Sequence, residues 1–383
     1  MHQPSPGGST TRIRGILTVA SALLAFVVIA VVLLRGGLPF SGKITAVITP
    51  TASPTPLALT PYDHLSNIDM HSPTEGWATG VDGRDGHAYV LHYARGAWTE
   101  ESLPLLRMFP SVIKMFSKSA GWVAGYDNTG NGVILHKIGG KWTNSPLPPG
   151  AGHVEDLSMV SPDEGWAVVS GRTPDTSSRI VRYTTAKGTW ATVLAAQAGV
   201  TFFSITMLSP DEGWVSGSGQ PEAQTNGTVW HYIMGTWQQI ALDNPQHADI
   251  EHISMLSPDE GWGIGSYPLP HQPQDQYARQ GGAIWHYTSG QWQIIKNYAD
   301  DPSQLVYMIG VRAVAPGEVW VMESDGTGGR LLHGSGGMWQ THLAPQDAHL
   351  SGFAVVGPDE AWVVGDGGLI LHYISGHWLD YFA

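Results

Sequence analysis

The sequence predicts an all-β protein, a seven-bladed β-propeller of four-stranded blades, preceded by one N-terminal transmembrane helix. Three observations carry this. A phrase ending in Trp, seen most fully in Ser161-Pro162-Asp163-Glu164-Gly165-Trp166, recurs seven times, at Trp77, Trp122, Trp166, Trp214, Trp262, Trp320 and Trp362. A second phrase, apolar-His-Tyr-x-x-Gly-x-Trp, follows each copy, as from Leu91 to Trp98 or Leu371 to Trp378. Ahead of the repeats, residues 15–34 form an uncharged apolar run.

In chain order, residues 1–14 read as a short cytoplasmic tail. Gly15 to Leu34 is interrupted only by Thr18 and Ser21. At about 1.5 Å per residue it spans roughly 30 Å, the thickness of a bilayer's hydrocarbon core. A cleavable signal peptide has an apolar core of only about 7–15 residues and a small-residue cleavage site, so an uncleaved single-pass anchor is expected. Arg12 and Arg14 precede the run, and Arg35 and Lys43 follow it, so flanking charge does not orient it. Residues 35–62 then form a Pro/Thr/Ser-rich linker, whose composition favours an extended spacer. A spacer of this kind suggests a propeller held outside the cytoplasm at the cell membrane.

The repeats occupy 63–383, as units at about 64–102, 108–147, 153–194, 201–241, 249–296, 305–343 and 350–383. A period near 45 residues indicates a solenoid, propeller or array. In the third unit, Leu157 to Val160 is an apolar run stopped by Pro162. Asp163-Glu164-Gly165 reads as a turn, Trp166 to Val169 as a second run and Ile180 to Tyr183 as a third. A fourth starts at Trp190 after Lys187-Gly188. Four short strands per unit describe a propeller blade. The last unit supplies its own fourth strand from Trp378, so no strand exchange between the termini is expected.

Spacing separates two faces. From the first Trp to the His position the counts are 15, 14, 16, 17, 24, 13 and 10, whereas the other intervals are nearly constant. Variation is thus concentrated between strands two and three, on the face shared with the crossings to the next blade. Variable loops on a fixed scaffold are where binding usually resides. The candidate binding residues are therefore Tyr267, His271, Tyr277, Arg279, Tyr298 and Tyr307, in or near the longest loops.

The repeated residues read as structural. Trp77, Trp122, Trp166, Trp214, Trp262, Trp320 and Trp362 are expected to be wedges packed between blades. His92, His136, His231, His286, His333 and His372, with Arg182 in the third unit, read as staples between neighbouring strands. Seven-fold placement keeps these His from converging on one ion, and no zinc-ligand spacing is present, so no metal or cofactor is expected. The acids of the Pro-Asp-Glu-Gly phrase read as turn chemistry, as do the Asp/Gly loops at 82–86, 127–132 and 324–326. No nucleophile elbow or phosphate loop occurs, which favours binding over catalysis. Beyond residue 62 the chain holds 15 basic and 32 acidic residues, a net −17, unsuited to nucleic acid, where Lys and Arg must neutralise phosphates. Cys is absent, so there are no disulfides. A monomeric propeller that meets an unknown protein or glycan ligand is the expected form.

The repeat, and most closely residues 361–378, Ala-Trp-Val-Val-Gly-Asp-Gly-Gly-Leu-Ile-Leu-His-Tyr-Ile-Ser-Gly-His-Trp, resembles the BNR/sialidase-like propeller repeats of photosystem II assembly factors, the Ycf48/Hcf136-like group. The resemblance covers about residues 65–383 and implies the seven-bladed fold. It further suggests a scaffold or assembly-factor role, with a carbohydrate-binding or glycoside-processing propeller as the alternative. The group's Ser-x-Asp-x-Gly-x-Thr-Trp hairpin stands here as His-Tyr-x-x-Gly-x-Trp, without the Asp. No Arg-Ile-Pro motif or sialidase Arg triad is found, so neither the group's binding to a photosystem nor sialidase chemistry transfers.

Overall fold

A computed structural model describes residues 59–104, 107–172, 177–197, 199–219, 227–240, 242, 248–268, 280–298, 306–326, 328–345 and 348–381. The tail, the apolar run at 15–34 and nearly all of the linker lie outside these residues. Among the described residues no helix is long and apolar enough to cross a membrane.

Seven four-stranded antiparallel sheets follow one another, each built from four consecutive strands in sequence order. The innermost strands are Asp63–Ser72, Met108–Ser117, Ala151–Ser161, Thr201–Ser209, His252–Ser257, Tyr307–Ala315 and Leu350–Gly357. The second strands carry the first Trp and are almost wholly buried: Glu75–Asp82 and Glu164–Gly171 expose little beyond their ends. They lack polar alternation because adjacent blades cover both their faces. The outermost strands, such as Lys141–Asn144 and His377–Asp380, are largely exposed.

The Ser-Pro-Asp-Glu-Gly-Trp phrase resolves residue by residue. Ser161, Ser209 and Ser257 each accept, on Oγ, the backbone N–H of the Asp two residues on, at 3.2, 3.2 and 3.3 Å. The turn itself is only Pro-Asp. Glu164 and Gly165 belong to the second strand, not to the turn the sequence suggests. That Gly is required by a neighbour. A Cβ at Gly76, Gly121, Gly165, Gly213 or Gly261 would lie 2.0–2.2 Å from the Sδ of Met70, Met115, Met159, Met207 or Met255 on the innermost strand. In the last two blades Val319 pairs with Ala313 and Ala361 with Val355. The volume shared across the pair is redistributed, as close packing demands.

The first Trp of every blade is buried. Trp77, Trp122, Trp166, Trp214, Trp320 and Trp362 have no exposed surface, and Trp262 is 5% exposed. The next blade supplies the covering side chains. Trp77 is enclosed with Met108, Ile113 and Met115 of the second blade. Tyr183 and Trp190 lie 4.8 and 5.7 Å from Trp122, and Tyr287 and Trp292 lie 4.8 and 6.5 Å from Trp214. Tyr232 lies 6.0 Å from Trp166, Trp339 lies 6.4 Å from Trp262, and Tyr373 lies 5.7 Å from Trp320. The same contact closes the ring. Tyr93 and Trp98 of the first blade sit 4.9 and 6.0 Å from Trp362 of the last. The Tyr93 and Tyr381 hydroxyls meet at 3.0 Å, and Gly368 N–H donates to the Asp63 carbonyl at 2.8 Å. Among the described residues no strand is exchanged between the first and last sheets.

Candidate functional site

Connections between strands divide the propeller ends sharply. Strands one and two are joined by two residues in every blade, from 73–74 to 358–359. The connections between strands two and three run 83–86, 128–131, 172–178, 219–226, 269–279, 325–328 and 366–369. The long ones therefore belong to blades three, four and five, all on one face. The chain also enters there: a Cβ at Gly368, in the last of these connections, would lie 2.7 Å from Leu59 Cβ.

The opposite face is committed to structure. In each blade the His (or Arg182) lies directly across from the first Trp in the strand register, as in Trp214↔His231 and Trp166↔Arg182. The imidazole stacks on the indole, with centroids 3.6–4.7 Å apart in the six His-containing blades. Its Nε2 then meets the Glu that opens the second strand. His286–Glu260, His333–Glu318 and His372–Glu360 are 2.9, 2.9 and 2.7 Å apart, His231 bonds Glu212, and His92 lies 3.5 Å from Glu75. Arg182 does both jobs at once, 4.5 Å over Trp166 and bonded to Glu164. A guanidinium plane can stack and donate in this way. Each group thus joins strands two and three within its own blade. The Glu has a second duty that turn chemistry did not reveal. The signal was visible as the pairing of Glu at the start of strand two with His on strand three. Blade two is the exception: Ala120 replaces Glu, and burial lowers the pKa of His136.

The feature that sequence reasoning missed is a central cavity of about 760 Å³ lined by all seven innermost strands. Directly opposite the first Trp, the register places Asp69, Lys114, Ser158, Thr206, Ser254, Arg312 and Ala354 around it. Most of these stitch one blade to the next. Asp69 Oδ2 accepts Met115 N–H at 2.7 Å and Oδ1 meets Lys114 Nζ at 3.2 Å. Burial opposes the charge of Asp69, but His71, Lys114 and the Met115 N–H together hold its carboxyl below the ordinary carboxylate range. Ser158 accepts Met207 N–H at 2.8 Å, Thr206 donates to the Ile253 carbonyl at 3.1 Å, and Ser254 accepts Ala313 N–H at 3.0 Å. Asp156 accepts Ser204 Oγ–H and Ile205 N–H at 2.8 and 2.9 Å. These side chains replace backbone pairing where innermost strands of adjacent blades diverge. In the sequence each is one polar residue inside a short apolar run, a weak signal without the register.

The predicted binding residues fall as follows. Tyr267 pairs with Gly281 in the strand register of blade five. His271, Tyr277 and Arg279 lie outside the described residues. The Tyr298 hydroxyl donates to the fully buried Glu323 at 2.7 Å, and Arg330 Nε donates to the same carboxylate at 2.6 Å. Burial, then Glu323, raises the Tyr298 pKa. Tyr307 is 56% exposed and is not joined to Tyr298 in any ring contact or hydrogen bond among the described residues. Asp249, at the entry to blade five, has an enclosed Oδ1 without a hydrogen-bond partner among the described residues; burial and the nearby Glu251 raise the carboxyl to about 6.

The Asp/Gly loops are held by local bonds. Asp127 Oδ1 accepts from Thr129 N–H, Thr129 Oγ1–H and Asn131 N–H at 2.8, 2.7 and 3.0 Å. Among the described residues, no group of three or more His, Asp or Glu is placed to hold a metal ion.

These elements define a seven-bladed β-propeller with consecutive four-stranded blades. No protein-family model matches the sequence, and no curated protein matches it. Solved structures do share the fold. YCF48 bound to a D1 peptide superposes with a TM-score of 0.56 at 16% identity, over 85% of this chain and 96% of that one. YCF48 from Cyanidioschyzon merolae gives 0.53 at 16%, over 83% and 97%. The GH74 xyloglucanase from Xanthomonas campestris gives 0.57 at 16%, over 85% of this chain but only 55% of the enzyme. The chain therefore spans about half the length of that glycosidase, and the likeness is one of fold.

Proposed function

We propose that the protein is a membrane-anchored, extracytoplasmic propeller that binds a protein or cell-surface ligand through its variable-loop face, in a scaffold or assembly-factor role. The observation that carries this is the division between the two faces. Two-residue turns and Trp–His–Glu staples occupy one end, whereas connections of unequal length gather at the other. The repeated Trp, His and Glu side chains are taken up in packing and bonds within or between blades, and the non-repeating loops remain for recognition. The fold shared with a propeller bound to a D1 peptide supports a protein ligand, and the apolar run at 15–34 supports the anchor. The test is capture of partners from detergent-solubilised membranes by the full-length protein and by a variant with residues 266–280 shortened. Loss of partners from the shortened variant supports the reading; identical partners from both reject this binding face.

A glycan-processing role is the second reading. Asp249 favours it, being a carboxyl raised to about 6 beside Glu251 at the loop face, where a general acid needs such a shift. Release of reducing ends from xyloglucan by the purified protein, abolished in Asp249→Asn, would establish it.

A further inference from the structure

Around the central cavity, Asp69, Ser158, Thr206 and Ser254 each bond the backbone of the next blade. Arg312 occupies the equivalent position in the sixth blade and makes no such stitch. Its Nη1 donates to the carbonyl of the adjacent Val311 at 2.9 Å, and its guanidinium lies 5.5 Å over the Phe353 ring. A guanidinium has five N–H donors. Among the described residues it has no carboxylate ion-pair partner, although Asp69, Glu155 and Asp156 line the same cavity. Asp69 is already committed to Lys114 and Met115, and Asp156 to Ser204 and Ile205. Arg312 is solvent-accessible yet deep among the seven inner strands. The adjoining lining positions Gly310, Gly352 and Ala354 carry little or no side chain.

We propose that Arg312 is the receptor for a carboxylate that enters the central cavity. The planar fork of arginine matches a carboxylate with two parallel hydrogen bonds. An accessible guanidinium with no carboxylate partner keeps its N–H donors available to an anion that enters the cavity. The Ser254 hydroxyl, which accepts Ala313 N–H and keeps its own O–H to donate, and the solvent-facing His252 line the same cavity and give a ligand further hydrogen-bonding groups. The carboxylate is carried by a small organic acid or by the C-terminus of a peptide. This site is separate from the loop surface and does not depend on it.

The test is calorimetric titration of the full-length protein in detergent with three probes: citrate, a hexapeptide with a free C-terminus, and the same hexapeptide amidated. Binding of citrate assigns a small acid; binding of the free but not the amidated peptide assigns a chain end. For whichever binds, Arg312→Met is expected to weaken binding roughly ten-fold or more, the scale of a lost charged hydrogen bond. Arg312→Lys, which keeps the charge and loses the fork, also weakens it. Lys296→Met, which removes a cation that is not part of the cavity lining, leaves it within about two-fold. Unchanged melting of the Arg312 variants shows that the fold is intact. The proposal is overturned if neither citrate nor the free peptide binds at millimolar concentration, if Arg312→Met binds undiminished, or if Lys296→Met is as damaging.

Discussion

Trp214→Ala isolates the device that joins one blade to the next. Trp214 is fully buried, stacks on His231 at 3.8 Å and receives Tyr287 and Trp292 of the fifth blade. A Trp buries about 150–250 Å². At about 25 cal/mol per Å² the transfer term is about 4–6 kcal/mol, an upper bound because the unfolded chain already buries part of its apolar surface. Truncations of this kind cost about 3–5 kcal/mol. In a domain of this length about 2 °C is lost per kcal/mol, so the melting temperature falls by about 6–10 °C. Nε1 of Trp214 has no hydrogen-bond partner among the described residues, so Trp214→Phe gives up volume and no polar contact, and costs less than Ala. Trp142, partly exposed on an outermost strand, serves as the comparison, with a loss of about 1–2 kcal/mol on truncation. Differential scanning calorimetry of the full-length protein measures all three. Melting of Trp214→Ala with the wild type, or equal damage from Phe and Ala, would refute the inter-blade packing argument.

Three further perturbations test other parts of the account. Lys137, 3% exposed in its side chain, bonds Glu101 of the preceding blade, so Glu101→Gln strands a buried charge and costs about 3–5 kcal/mol, whereas Glu101→Gln with Lys137→Met restores most of it; equal melting of single and double variants would contradict this. Ala120→Glu supplies the carboxylate missing from the second blade and is expected to raise the His136 pKa and add about 0.5–1.5 kcal/mol, read by NMR titration and calorimetry; an unmoved His136 would exclude the staple. Asp249 has a folded pKa of about 6, raised from 3.8, so the folded state holds its proton more tightly than the unfolded state. The associated stability is complete below about pH 4 and is lost as pH rises through 6. Asp249→Asn should therefore stabilise the protein by about 1–2 kcal/mol at pH 7.5, discounted for partial exposure, and not at pH 4; an equal gain at both pH values would reject burial of the charge as the cause.

Blade number, strand order and the division between faces were legible because a repeat exposes its own geometry. A residue present seven times at matching offsets, such as Trp77, Trp262 or Trp320, must solve a problem common to every blade. The roles of Glu212 and Gly213 were misassigned to a turn because Glu, Gly and Asp are all found in turns. Only the strand register shows Glu212 beside His231 and Gly213 beneath Met207. The cavity was invisible for a different reason. Its lining comes from seven distant segments, each contributing one or two polar residues to an apolar strand, so Asp69 and Arg312 become neighbours of one space only after the ring closes. Tyr298, a candidate binding residue by its place near the longest loops, has a bond that the sequence does not show: its hydroxyl donates to Glu323, a carboxylate buried within the adjoining strand.

The most direct test of the central claim is hydroxyl-radical footprinting of the full-length protein in native membranes against the purified protein in detergent. The account predicts protection in the membrane sample at the connections 83–86, 172–178, 219–226 and 269–279, with unchanged reactivity at the turns 162–163, 210–211 and 258–259. Protection confined to those turns, with the loop face equally reactive in both samples, would contradict it.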